Sequence, residues 1–309
     1  MIRLMMIGLV SGGFFSATFV LNRVMSLGGG HWFWSGALRY GYMILFLGLG
    51  IAIIQGLPFF KEMINVLYRH LLFWIVSGSI GFGAFYALIC FSADYSPGWV
   101  VATTWQLTII ASLFVLQGFG RRFPKKIWGC ALVVFGGVCL VNLSHFELSH
   151  LESLFLGAIP VGVAAFCYPL GNQLVWEAKI GRRGVPKIDG LVLDNAFAKV
   201  FLLSVGSIPF WGLLYFITDP GLPSSGQWMN TAFVALSSGV VATSLFLYAR
   251  GGADTPAKLA GVDATQCSEV VFALGGEILF FGAGFPNFLG AIGILITIMG
   301  LVAFATLSK

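Results

Sequence analysis

Charge is scarce in this chain: Asp, Glu, Lys and Arg make up 9% of its 309 residues, while 58% are hydrophobic. That balance excludes an ordinary soluble protein, about a quarter of which is charged. Long polar stretches are missing too, with gaps between apolar runs of at most about fifteen residues, so no soluble domain fits between apolar runs of membrane-crossing length. The five cysteines, Cys90, Cys130, Cys139, Cys167 and Cys267, all lie in apolar runs. Their odd number and the lack of metal-ligand spacing argue against a disulfide framework or a metal site, and they read as small buried hydrophobes. Histidine is rare, and no His/Asp or Ser/His cluster gathers near one interface, which argues against an enzyme acting on lipids. His145 and His150 flank Glu147 at a spacing of five and read as a solvated loop rather than a metal site. Ser77–Gly83 is glycine-rich, but no strand precedes it, so it is not a phosphate loop and no hydrolysis-driven pump is expected. No basic face interleaves aromatics outside the apolar runs, so the net charge of +5 calls for no nucleic-acid partner. An anionic membrane leaflet accounts for it more simply. No cofactor motif is found.

What the chain does contain is ten apolar runs, at 4–25, 31–54, 70–92, 97–117, 126–143, 153–177, 191–217, 228–249, 258–281 and 287–306. Each is about 18–27 residues, long enough to cross a hydrocarbon core roughly 30 Å thick as a helix. A backbone in lipid must satisfy its own hydrogen bonds, so helices are expected throughout. The first run lacks a cleavage signature and is expected to be a retained helix rather than a signal peptide. The fold class is therefore an all-α integral membrane protein.

The gaps alternate in charge. With Met1 cytoplasmic, the even gaps hold Lys61 and Arg69, then Arg121, Arg122, Lys125 and Lys126, then Lys179, Arg182, Arg183 and Lys187, then Arg250 and Lys258. With Arg3 and Lys309 at the termini, 14 of the 17 basic residues fall on one side. The odd gaps carry Asp94, Glu147, Glu152 and Asp219. The positive-inside rule then puts both termini in the cytoplasm. Trp32, Trp34, Trp99 and Trp228 fall at outer ends, as an aromatic belt requires. Five spans is an odd number, so a five-span unit written twice must be inverted, with halves at 1–145 and 146–309. Phe123–Pro124 opens the fifth span as Phe285–Pro286 opens the tenth. Arg39 and Lys199 each lie about eight residues into their spans from opposite sides, which is the depth relation an in-plane two-fold axis demands. Glycines within the spans (Gly78, Gly81, Gly83, Gly136, Gly137, Gly275, Gly276) read as packing positions that bring helices together.

The stretches Gly8–Asn22 and Trp34–Tyr40, a small-residue first helix and an Ala37-Leu38-Arg39 start to the second, resemble the drug/metabolite transporter superfamily. The ten-span, EamA-like plan carries the resemblance over the whole chain, nearest to the branch named multidrug resistance efflux transporters. It implies a bacterial inner-membrane carrier that works by alternating access and exports small metabolites or drugs. Lys199, in Leu193–Lys199, departs from that pattern, where a less polar helix is common.

Ionisable groups at mid-span cost at least about 2.5–3.5 kcal/mol, so each one needs a reason. Glu269 is nearest the expected midplane, with Gln266 one turn away. It reads as a proton- or cation-binding carboxylate whose loading drives antiport, or as half of an ion pair with Lys199 or Arg39. Asp263 and Glu277 stand toward the two mouths of the same span as relay or loop-capping groups. Trp105 offers a face for an aromatic or cationic solute and Gln106 a polar handle. Span six brings Tyr168 and Asn172 around a Pro169 kink, at the depth where span one ends in Asn22 and Arg23. The expected partners are a small-molecule substrate, the lipid bilayer and protons. Monomer and homodimer stay open, as do substrate charge and an uncoupled, channel-like alternative.

Overall fold

The computed structural model describes residues 1–145, 151–182, 184–188 and 190–307. Glu147, His150, Arg183 and Lys309 lie outside them. The described residues are helical without strands, and ten helices are long and apolar enough to cross a membrane. In order they are span 1 (Ile2–Leu27), span 2 (Trp32–Ile54), span 3 (Leu71–Ser92), span 4 (Gly98–Gly118) and span 5 (Lys125–Ser144). Then come span 6 (Phe155–Ile180), span 7 (Ala196–Thr218), span 8 (Ser225–Gly251), span 9 (Gly261–Phe281) and span 10 (Phe288–Leu307).

The ends of the spans follow local chemistry. Span 8 starts in a capping box, where Ser224 accepts from the Gln227 amide and the Gln227 side chain accepts from the Ser224 amide. Span 7 begins five residues later than the apolar pattern predicts. Leu191–Asp194 forms a separate 3-10 turn, and the Asn195 side chain then caps the helix by accepting from the amides of Phe197 and Ala198. A helix the apolar runs did not reveal, Leu57–Arg69, joins spans 2 and 3. It turns Met63, Val66 and Leu67 inward and leaves Lys61 and Glu62 exposed.

Several spans are irregular inside. Span 3 contains a π-helical segment at Ser79–Ala84, and span 8 another at Ala235–Ala242. Span 4 is interrupted at Gln106, span 7 at Ser207, and span 9 by a 3-10 turn at Thr265–Cys267. Glycine governs how closely the helices meet. A Cβ on Gly206 would stand 2.0 Å from the Trp74 carbonyl oxygen, and one on Gly78 would stand 2.5 Å from that of Leu203, so spans 3 and 7 touch backbone to backbone. Gly81 and Gly171 bring spans 3 and 6 together in the same way, and Gly137 and Gly293 do so for spans 5 and 10. Such contact substitutes for the hydrophobic drive that lipid removes. Gly136 and Gly275, by contrast, have open space where a Cβ would lie.

Spans 5 and 10 form the most extensive helix pair and stand to one side. The other eight all contribute residues to a central cavity.

Candidate functional site

The central cavity, about 240 Å³, has one basic and one acidic group in its walls, Arg39 from span 2 and Glu269 from span 9. Arg39 is held on two sides. Its Nη2 donates to Ser238 Oγ at 2.9 Å, and its guanidinium carbon lies 4.1 Å from the centroid of the Tyr86 ring. Thr18 Oγ1 also donates to Ser238 Oγ, at 2.8 Å. Tyr86 is itself fixed by the amide of the buried Asn22, whose Nδ2 donates to the phenol oxygen at 3.2 Å. Arg39 Nε is buried and has no hydrogen-bond partner.

Glu269 owes its position to the break in span 9. The 3-10 turn ends at Cys267 and the α-helix restarts at Ser268, so the carboxylate sits in the first turn of the restarted helix. The break itself is admitted by span 1. A Cβ on Gly8 would stand 2.2 Å from Thr265 Oγ1, and one on Gly12 would stand 2.2 Å from Ser268 Oγ. The small residues of the first helix thus make room for the irregular turn that carries the acid. Glu269 is 7% exposed, and among the described residues no cation pairs with it.

Between the two charged walls stand Phe85, Trp105 and Tyr168 in mutual contact, with ring centroids 4.9 Å apart for Phe85–Trp105, 5.0 Å for Phe85–Tyr168 and 5.6 Å for Trp105–Tyr168. Tyr168 lies within electrostatic reach of both Glu269 and Arg39. Pro169 has no N–H for the Ala165 carbonyl, and the Thr108 hydroxyl of span 4 supplies a donor to it instead, at 3.3 Å. The proline therefore leaves span 6 unbroken and ties it to span 4 beside the aromatic trio.

A second cavity of about 290 Å³ shares Trp105, Thr108, Gln266 and Glu269 with the first, and its lining continues to Arg250 and Asp263. Glu269 stands at the junction. Arg250 Nε and Asp263 Oδ1, 2.8 Å apart, form an ion pair at the end nearest Met1 and Leu307. At the opposite end the structure is filled. Asn22, Tyr86 and Ile89 are buried, Arg23 donates to the carbonyls of Ala93 and Asp94, and Glu277 accepts from the Gly98 amide at the start of span 4.

Of the residues singled out from sequence, Arg39, Trp105, Tyr168, Gln266 and Glu269 meet around the central cavity, and Gln106 and Asp263 line the second. Asn22 stands behind Tyr86 rather than in the wall. Asn172 lines neither cavity and donates back to the Tyr168 carbonyl at 2.8 Å. Lys199 does not match Arg39 in depth. With span 7 starting at Ala196 it lies in the first helical turn, where its charged neighbours are Lys179 and Asp194, so the expected pairing with Glu269 does not occur. Glu277 serves as a cap, consistent with the structural alternative. Thr18, Ser238, Phe85 and Tyr86 were missed. Thr18 and Ser238 carried a usable signal, as hydroxyls inside spans need partners, whereas Phe85 and Tyr86 look like any lipid-facing aromatics. Also missed was Glu177, buried near the end of span 6, which accepts from Gln173 Nε2 at 2.7 Å and has Arg182 3.6 Å away.

A larger cavity, about 680 Å³ between spans 4, 5 and 6, is apolar apart from Thr104 and Asn142. These satisfy each other through a 2.8 Å hydrogen bond, so it offers no charged chemistry. Among the described residues no group of three or more His, Cys, Asp or Glu is arranged to hold a metal ion.

Comparison with known proteins agrees with this architecture. An uncharacterized protein of Bacillus subtilis (strain 168), YjlA, is 37% identical over 316 residues, covering 97% of this chain and 93% of that one. An uncharacterized 42.1 kDa protein of Shouchella clausii, from the intracellular alkaline protease 3' region, is 35% identical over 259 residues, covering 80% of this chain and 64% of its own. A solved crystal structure aligns with a TM-score of 0.61 over 99% of this chain and 97% of that one; at 17% identity it shows a shared fold alone. The family model described as "EmrE: Putative multidrug resistance efflux transporter" matches residues 2–309. The chain thus belongs to the EmrE-like multidrug resistance efflux transporters of the drug/metabolite transporter superfamily, a transporter family, with ten helices of membrane-crossing length among its described residues.

Proposed function

We propose that this protein is a proton-coupled antiporter that exports small organic solutes by alternating access. The observation that carries the reading is the place of Glu269: buried, unpaired by any described cation, and shared by two adjoining cavities. A carboxylate there binds either a proton or the cationic group of a solute, and exclusion of one by the other is the coupling that antiport needs. The ionisable groups around it are Tyr168 from span 6, Cys267 on its own span, Arg39, Tyr40 and Tyr86 across the cavity, and Asp263 with its partner Arg250 toward the mouth.

The irregular helices support two inverted halves, 1–145 and 146–309. Spans 3 and 8 hold equivalent places in such a repeat and each contains a π-helical segment. Spans 4 and 9 hold equivalent places and each breaks beside the cavity, while spans 5 and 10 pack on each other. The distribution of Lys and Arg supports cytoplasmic termini in a bacterial inner membrane. The open end, at Arg250 and Asp263, is then cytoplasmic, and the shape is that of an inward-facing carrier ready to load solute for export.

The test is flux in proteoliposomes with a pH-sensitive dye inside, amino acids and quaternary ammonium compounds being added outside. Solute movement coupled to opposite proton movement is expected, with Glu269→Gln abolishing the dependence on the pH gradient. Flux that ignores uncouplers and survives Glu269→Gln at every pH would instead identify an uncoupled facilitator.

A further inference from the structure

We propose that the solute is a zwitterion, its carboxylate on Arg39, its ammonium on Glu269 and its body against Phe85, Trp105 and Tyr168. This names the substrate class of the transport site above and rests on that reading. Buried hydrogen-bonding groups are nearly always satisfied, so the unpartnered, buried Nε of Arg39 asks for an acceptor the protein does not supply. Ser238 Oγ accepts from both Thr18 and Arg39, so its own hydroxyl proton is directed elsewhere. Two donors joined by one hydrogen bond, one of them charged, suit a carboxylate better than a single-atom acceptor.

The second observation is that Arg39 and Glu269 share one cavity without pairing. No ion pair joins them, and Tyr168 lies within electrostatic reach of both. A solute that carries both charges gives each of them a partner. A lipophilic cation would satisfy Glu269 and leave Arg39 an unpaired like charge in the same space. An amino acid or a compound of similar size supplies this combination of charges.

The experiment is a thermal-stability screen of the detergent-purified full-length protein. Its panel holds the twenty amino acids, the amines that lack each carboxylate, the acids that lack each ammonium, and tetraphenylphosphonium. At least one amino acid is expected to raise the melting temperature, with its matched amine and acid binding at least about tenfold more weakly. Arg39→Gln should remove the advantage over the amine, Glu269→Gln the advantage over the acid, and Arg39→Lys should keep part of the first. If Arg39→Gln does not purify folded, the matched ligands on the unaltered protein still decide. The proposal is overturned if tetraphenylphosphonium or a bare amine stabilises as well as the best amino acid, if nothing in the panel stabilises, or if Arg39→Gln leaves the carboxylate advantage intact. Proton-coupled flux of tetraphenylphosphonium would remove the zwitterion and leave the transport reading. An amino acid that binds through Arg39 but moves no protons would remove the coupling and leave the zwitterion.

Discussion

His31 shows how much one side chain decides at a helix start. Its Nδ1 accepts from the Phe33 amide at 3.2 Å, so the cap of span 2 exists only while that nitrogen is unprotonated. Burial pushes the imidazole below its usual 6.5, partly offset by the carboxylate of Asp94. A lowered value means the folded state favours the neutral ring. The stability it contributes is therefore present above the ordinary histidine range and is lost as pH falls through the lower folded value. Asp94 runs the other way, because burial pushes its carboxyl up, and its contribution is present at acid pH and lost as pH rises through that raised value. Melting temperatures from pH 7 toward pH 5 should separate the two. His31→Asn, which keeps an acceptor, should flatten the loss on acidification, and His31→Ala should cost about 1 kcal/mol at neutral pH. A loss on acidification unchanged in His31→Asn would show that the cap does not titrate. At this scale the sequence was informative wherever a polar group had no business in lipid. Arg39, Gln266 and Glu269 stood out for that reason, and all three line the cavity. It misled where a polar group is satisfied locally, as Asn172 is by the Tyr168 carbonyl, or where a cap moves a helix start, as Asn195 does for Lys199.

At the scale of helices, the close approaches are written in glycine but only some glycines write them. Gly206→Ala would drive a methyl group into the Trp74 carbonyl, and spans 3 and 7 would have to separate. A cost of about 1–3 kcal/mol is expected, the range for overpacking. Gly136→Ala, with open space around it, should be neutral or slightly stabilising. Thermal melts of the two variants in one detergent give the comparison; equal effects would mean that the contact at Gly206 is not tight. From sequence, Gly136 and Gly206 look alike, because clearance depends on the partner helix. The π-helical segments and the break in span 9 were hidden for the same reason. Each depends on what packs against it, as Thr265 and Ser268 depend on Gly8 and Gly12. The helix Leu57–Arg69 went unread because its apolar side is narrow and short, well under the length of a span.

For the whole molecule, apolar length made the ten helices legible, since a backbone in lipid has few other options. Charge alternation added an expected orientation, and the depth of ionisable groups pointed to a cavity. What the sequence did not reveal is that two cavities join at Trp105 and Glu269, with Arg39, Phe85 and Tyr168 in the wall of the first. That junction is the centre of the proposed antiport, in which solute and proton are rivals for one carboxylate. The most direct test is to count protons released when a stabilising solute is added to the purified protein in weakly buffered detergent. Starting from conditions in which the carboxylate is protonated, the account predicts about one proton per solute bound, and none from Glu269→Gln. Release of the same number of protons from the variant, or none from the unaltered protein at any pH, would contradict it.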